Sequence, residues 1–430
     1  MPLVRPFQAI VFDSSAGPDI TPLVAPPYDV VDEDMRARLL ARSEHNIVAI
    51  DLPEGSPDPD APDSRYRRAA ELWRAWLDAG VLRRDESPAF YLLEQSWEQD
   101  GRRKARLALF AAVRIHAFDE GVIVPHERTL PKAIADRLAL TRACRANLSP
   151  VFGLYSDPAG EADAVIRASM GGKPMLEASG DDGTHARVWA IRDRRAVAAL
   201  QQILAEKQVF IADGHHRYTV ALAYRDERRA ADTAAGVAPS DPAYDRVLMA
   251  LVNMDDPELT VMATHRVARA AGGFDASRFL QDLAQRFEVS PVQRGDVRPL
   301  ESLDRPGFVV ALPSGETWLA ALRPDVNLDE AIPLPVSTHW KSLDVAVLQE
   351  LVLRPLLGIH PDEPETLDRL SFVKDTAAAF SVPGGDVAFI LRPTRMDQLK
   401  AVALAGETMP QKSTYFHPKL PTGLLFYDLS

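Results

Sequence analysis

The sequence predicts an α/β or α+β protein with mixed sheets, and three observations lead there. Seven short apolar or alternating runs are bounded by turn residues, at 89–97, 105–118, 185–193, 247–254, 307–312, 317–322 and 386–392. Runs of that length and pattern are strands. Among them, residues 64–80, 274–287 and 343–358 repeat apolar side chains at three and four positions, which is the period of a helix with one buried face. Strands and helices follow one another without regular alternation, and no internal repeat is visible.

Residues 25–40 open with the turn PPYDV (26–30) and continue into a helix with an acidic first turn, the arrangement the helix macrodipole favours. That helix reads as structural, while Tyr28 and Asp29 at its entry can reach a ligand. Residues 259–269 end a strand with His265 and Arg266, read as structural. The helix at 274–287 has Asp275 or Ser277 as its cap. Polar stretches at 52–65, 178–184 and 234–245 are loops, and none is long enough to tether independent modules.

A chain of 430 residues is about three times the usual domain size, so two or three domains are expected. The expected division is an N-terminal α+β region at 1–115, a core at 116–270 and a C-terminal α+β region at 271–430. With 61 acidic against 49 basic residues and no basic tract, nucleic acid is an unlikely partner. The single cysteine, Cys144, excludes an internal disulfide, the first residues lack a signal peptide, and no run reaches the roughly 18 apolar residues of a membrane span. A cytoplasmic protein is expected, with no membrane partner. The sequence leaves the oligomeric state open, a homodimer included.

Three clusters carry chemistry. In QVFIADGHHRYTVALAYRDERR, Val209 to Ala212 is predicted as a buried strand, Asp213 and Gly214 as a sharp turn, and Tyr218 to Tyr224 as helix. A strand followed by glycine and a helix start leaves backbone N–H groups facing outward at the positive end of the macrodipole, a geometry that binds phosphate. Arg217 adds a bidentate fork and His215 or His216 further donors. A structural reading also stands: Asp213 as helix cap, one histidine as a buried hydrogen-bonder, and Arg217 paired with an acid. A histidine metal site is not expected, because His215 and His216 are adjacent and no metal-ligand spacing accompanies them.

Upstream, PHERT (125–129) places His126, Glu127, Arg128 and Thr129 between a short apolar run and an Arg-rich helix. A glutamate there is a candidate general base, and a charged helix cap is the alternative. Near the end, MPQKSTYFHPK (409–419) crowds Lys412, Ser413, Thr414 and Lys419 into a proline-flanked loop. These side chains can serve phosphate, although no Walker A pattern is present; the alternative is a solvated tail docked by its aromatics.

IADGHHRYTVAL resembles the signature of the ParB/sulfiredoxin superfamily, whose Gly-x-x-Arg turn opens a helix that receives nucleotide phosphates. Within it the sequence is most similar to the free serine kinases, which pair an Asp-Gly-His-x-Arg turn with an upstream Pro-His-Glu segment. The whole chain also resembles a bacterial and archaeal domain-of-unknown-function family with PPYDV, PHERT, ADGHHRY and MPxKSTYFxPK as recurrent motifs. The resemblance implies a ParB/sulfiredoxin-like core carrying PHERT and DGHHR. It implies Glu127 as the base that takes a proton from a substrate hydroxyl and Asp213 as a catalytic residue that places substrate or metal-bound phosphate. Gly214, His215, His216 and Arg217 would bind nucleotide phosphates. From their density in the loop rather than from the resemblance, Lys412 and Lys419 are expected as a second phosphate clamp, with Ser413 and Thr414 as further phosphate-binding residues. His126, Arg128, Thr129, Tyr28 and Asp29 would meet the substrate.

The implied cofactors are ATP or ADP with Mg2+, the implied acceptor is a small serine-like metabolite, and the implied activity is a kinase. A phosphatase or hydrolase of a small phosphorylated metabolite, or a nucleotide-gated regulatory protein, uses the same features. The 86 positions between Glu127 and Asp213 exceed the spacing of the compact kinases, so an insertion or extra sheet is expected there.

Overall fold

The computed structural model describes residues 3–15, 17–99, 101–361 and 363–430. The chain forms two compact units: Met1–Pro125, Thr129–Thr260 and Pro418–Ser430 build the first, and His126–Arg128 with Val261–His417 the second. The fold is α+β, with a mixed sheet in the first unit.

That sheet has nine strands: β1 (Val4–Arg5), β2 (Phe90–Gln99), β3 (Arg102–Arg114), β4 (Ile123–Val124), β5 (Val151–Tyr155), β6 (Leu176–Ser179), β7 (His185–Ile191), β8 (Val209–Asp213) and β9 (Arg246–Asn253). The order is β4-β8-β5-β9-β3-β2-β7-β6, with β1 beside β3. The β8–β4 and β9–β5 pairings are parallel and the rest antiparallel. Every residue of β5 and β9 is buried, as expected of central strands covered on both faces. The segment between Glu127 and Asp213 supplies β5, β6 and β7. No reading of the apolar pattern had marked β5, because VFGLY is too short to show a period.

Asp32 caps α1 (Glu33–Arg42) by accepting from the Met35 N–H at 2.7 Å. In α2 (Arg65–Asp78) the buried residues Tyr66, Ala69, Ala70, Trp73 and Trp76 recur at helical spacing. α3 (Pro131–Cys144) starts on a proline, and α4 (His215–Ala234) follows β8 directly. The helices pack largely on one another, α3 lying against α2 and α4, while α4 also lies on β5 and β9. The last residues weave into this unit: Ala25 and Thr422 exchange backbone bonds, Ile10 pairs with Phe426, and Tyr427–Asp428 pairs with Ala146–Asn147.

The second unit has a six-stranded sheet of β10 (His265–Ala268), β11 (Phe287–Pro291), β12 (Gly307–Ala311), β13 (Thr317–Leu322), β14 (Leu370–Val373) and β15 (Val387–Ile390). Its order is β11-β13-β12-β15-β10-β14, antiparallel throughout. Val267, Val309, Ala388 and Ile390 form its core with Phe380.

Several boundaries differ from the periodic reading. The helix predicted over 274–287 is α5 (Ala276–Leu283), capped by Asp275, and Phe287 already begins β11. The run 105–118 leaves the sheet at Arg114; beyond it, the His116 N–H donates to the Tyr218 hydroxyl at 2.9 Å. The helix at 343–358 widens to a π-turn at Gln349–Leu353, just before Pro355, which has no N–H to continue an α-helical ladder.

Gly153 sits between β8 and β9, and a Cβ there would lie 2.7 Å from Val209 Cγ1 and 2.9 Å from Leu251 Cδ2. Gly153→Ala is expected to cost about 1–3 kcal/mol by overpacking. Urea unfolding should show a lower midpoint at unchanged slope; a wild-type midpoint would mean that the strands part freely there.

Candidate functional site

The DGHHR segment begins with an irregularity in the sheet. Ile211 pairs with Gly153 and Asp213 with Phe152, so Ala212 is an extra residue that shifts the register between β8 and β5. Such bulges re-aim the side chain that follows. Gly214 then turns the chain with φ of 88° and caps α4 without a side-chain bond. Glycine suits the position twice over: it tolerates the positive φ, and a Cβ would lie 2.8 Å from Arg217 Nε and displace that guanidinium. The strand therefore runs through Asp213 and the helix starts at His215, three residues before the predicted start.

Asp213 is held between two cations. Its Oδ2 accepts from Arg217 Nη2 at 3.1 Å and its Oδ1 lies 3.2 Å from Lys419 Nζ. Burial works to raise the Asp213 carboxyl, but Lys419 and Arg217 outweigh it and hold the group below the usual carboxylate range. Arg217 Nη1 also donates to the Pro150 carbonyl. Beneath lies Arg106, fully buried on β3, its guanidinium 4.7 Å from the centre of the Phe152 ring. Burial lowers Arg106 to about 9, opposed by Asp213, so it remains a cation at neutral pH.

The PPYDV turn contributes a second layer. The Arg137 guanidinium stacks 4.5 Å from the centre of the Tyr28 ring, and its Nη1 donates to the Asp51 carbonyl at 2.7 Å and Oδ1 at 3.2 Å. Burial raises the Asp51 carboxyl against the pull of Arg137 and Arg217. Tyr28, Asp51, Arg137 and Arg217 line a cavity of about 40 Å³, room for water and far below the roughly 300 Å³ of a ligand pocket. Tyr28 and Arg137 also line a cleft of about 800 Å³ with Leu130, Lys132 and Asp136. His216 Nε2 accepts from the Leu130 N–H at 2.9 Å, which commits that nitrogen to the start of α3.

The second unit holds His126, Glu127 and Arg128 with the loop at 407–417. His126 Nε2 lies 3.0 Å from Thr414 Oγ1, the His126 carbonyl accepts from the Met409 N–H at 2.8 Å, and Arg128 Nε donates to Thr408 Oγ1 at 3.3 Å. Buried Arg266 donates through Nη2 to the Gln411 and Lys412 carbonyls, each at 3.1 Å. Burial lowers Arg266 to about 9, opposed by Glu127. Glu407 accepts from Ser337 Oγ at 2.6 Å, the Thr408 carbonyl from Trp340 Nε1 at 2.9 Å, and the Ser413 carbonyl from Thr394 Oγ1 at 2.7 Å. Held this way, exposed Lys412 adopts φ of 56°, a left-handed conformation unusual for a residue with a side chain.

The predicted residues thus fall in two sets. Tyr28, Asp29, Thr129, Asp213, Gly214, His215, His216, Arg217 and Lys419 belong to the first unit, where Arg217 meets both Asp213 and the Tyr28 cavity. His126, Glu127, Arg128, Lys412, Ser413 and Thr414 belong to the second, and the motif at 409–419 divides after His417. Asp29 is exposed and Thr129 half-buried. Among the described residues no group of three or more His, Cys, Asp and Glu is placed to hold a metal ion, and no helix is long and apolar enough to cross a membrane. Sequence reasoning missed Gln95, Arg106, Arg137 and Asp51. The signal for Arg106 was present, since a charge inside the apolar run ARLALFAAV must be buried with partners.

A mixed-sheet α+β chain with a strand–glycine–helix turn defines the class. The chain belongs to the family described as "Protein of unknown function (DUF1015)", whose model matches residues 4–346. No curated protein matches the sequence. Among solved structures, it is similar to a mutant free serine kinase in complex with ADP at 13% identity and a TM-score of 0.36, covering 75% of this chain and 92% of that one. A conserved hypothetical protein from Pyrococcus furiosus matches at 14% identity and 0.34, covering 75% and 97%. C-terminally truncated SbnI from Staphylococcus aureus matches at 11% and 0.33, covering 73% and 85%.

Backbone strain at Lys412 gives a direct test. Lys412→Gly and Lys412→Ala remove the same charge, but only glycine relieves the left-handed conformation, so the glycine variant is expected to be more stable by about 1 kcal/mol. Thermal unfolding reads the difference, and equal melting temperatures would mean that Lys412 is not held left-handed.

Proposed function

We propose that this protein is a cytoplasmic nucleotide-dependent phosphotransferase acting on a small hydroxyl-bearing, serine-like metabolite, built on a ParB/sulfiredoxin-like core. The observation that carries the reading is the turn at Asp213–Arg217. A left-handed glycine opens a helix of 20 residues, so the turn stands at the positive end of the helix dipole. Arg217 and Lys419 stand on the same carboxylate at its mouth. This combination suits phosphate oxygens: oriented N–H donors, a planar fork and a point charge. The cleft of about 800 Å³ that shares Tyr28 and Arg137 with the inner cavity is large enough for a nucleoside.

In this reading Gly214, His215, His216 and Arg217 hold the phosphates of ATP or ADP, and Lys419 shares the charge with Asp213. Magnesium, when bound with the nucleotide, neutralises phosphate charge. Phosphoryl transfer asks for alignment and charge stabilisation more than covalent help. Glu127 takes the proton of the acceptor hydroxyl, an assignment that rests on the PHERT resemblance. His126 and Arg128 are assigned to the acceptor on the same ground, and Lys412, Ser413 and Thr414, from the density of such side chains in their loop, to phosphate.

Incubated with ATP or ADP, magnesium and a panel of hydroxy amino acids, the protein should yield a phosphorylated product detectable by phosphorus NMR or mass spectrometry. Glu127→Gln should lose the product and keep nucleotide affinity. Arg217→Ala should weaken nucleotide binding by roughly ten- to a hundredfold, the worth of a charge-assisted hydrogen bond. Undiminished turnover in Glu127→Gln would remove Glu127 as base; product formed from phosphoserine without nucleotide would favour the hydrolase.

A further inference from the structure

The geometry points to Gln95 and Arg106 as positioning residues that deliver Lys419 to the Asp213 turn. Both are buried polar side chains, at 1% and 0% exposure, that stand opposite each other on β2 and β3, and the proposed reaction uses neither. Arg106 Nη2 donates to Gln95 Oε1 at 2.7 Å and to the Pro418 carbonyl. Gln95 Nε2 donates to the Lys419 carbonyl at 2.7 Å. Two consecutive carbonyls of the C-terminal segment are thus held from below, and the residue they bracket reaches Asp213 Oδ1 at 3.2 Å. The circuit closes through the sheet, since Arg106 stacks on Phe152 and Phe152 stands in register with Asp213.

A lysine side chain has four rotatable carbons, and fixing its backbone removes much of the freedom that would otherwise dilute its charge around the turn. Apolar side chains of equal volume at 95 and 106 would fill the space but hold neither carbonyl. The pair therefore sets where the segment's cation stands, and Lys419 becomes part of the anion site. This rests on the proposal that the turn receives phosphates.

Two readouts on the full chain separate the claims. Gln95→Glu keeps an acceptor for Arg106 and removes the donor to the Lys419 carbonyl. Acetylation of Lys419, followed by mass spectrometry, should accelerate severalfold in this variant while Lys132 and Lys207 react as before; an unchanged Lys419 rate overturns the positioning without reference to any nucleotide. ADP affinity should fall about tenfold in Gln95→Glu, but less than about twofold when the same change is made in Lys419→Met, because the effect passes through that lysine. Equal losses in both backgrounds indicate a general structural defect and overturn the proposal. Wild-type protein that binds no ADP overturns the phosphate reading instead, and the acetylation rates alone then decide the positioning. Should Gln95→Glu not fold, Arg106→Lys, which keeps the buried cation and loses the fork, is read the same way.

Discussion

The first unit depends on one carboxylate that must stay ionised while largely enclosed. Asp213 emerges from a bulged strand end, and enclosure alone would raise its carboxyl, so the structure brings Arg217 from the following helix and Lys419 from the far end of the chain. Each cation imposes a further condition. Arg217 folds back over residue 214, which has no side chain, and Lys419 arrives on a terminal segment sewn to Ala25, Ile10 and Asn147 and held by Gln95 and Arg106. A local electrostatic need thus fixes the register of a strand, the identity of a glycine and the course of the terminus.

The second unit shows the same economy around a cation. Arg266 on β10 is buried, opposite in charge to Glu127, and its guanidinium grips two successive carbonyls of the loop that precedes Ser413. A buried guanidinium has five donors to satisfy, and backbone carbonyls satisfy them without adding a second charge. The loop at 407–417 is held at most of its residues, and Lys412 adopts its left-handed conformation inside that frame.

The fold was legible where burial has a period. The strands at 89–97, 185–193 and 247–254 and the helix rich in Trp73 and Trp76 follow directly from alternation or three-and-four spacing. It was least legible where a short element is covered on both faces, as in β5, or where chemistry overrides propensity, as at Pro355. The turn in DGHHR was legible because a glycine between an apolar run and a helical segment marks a place where the chain can take a positive φ, and Gly214 has one. Arg106, Gln95, Arg137 and Asp51 could not be assigned partners, because their contacts join residues 11 to 324 positions apart and no local rule pairs them. His216 shows the reverse: chemically prominent in the sequence, it bonds the Leu130 N–H at the entry to α3.

The proposed site of phosphate binding is the strand–glycine–helix turn. A structure of the protein crystallised with ADP tests it most directly. Phosphate oxygens are expected within hydrogen-bond distance of the first backbone N–H groups of α4 and of the Arg217 guanidinium. A nucleotide whose phosphates lie elsewhere, with the contacts of Asp213, Arg217 and Lys419 unchanged, would contradict it.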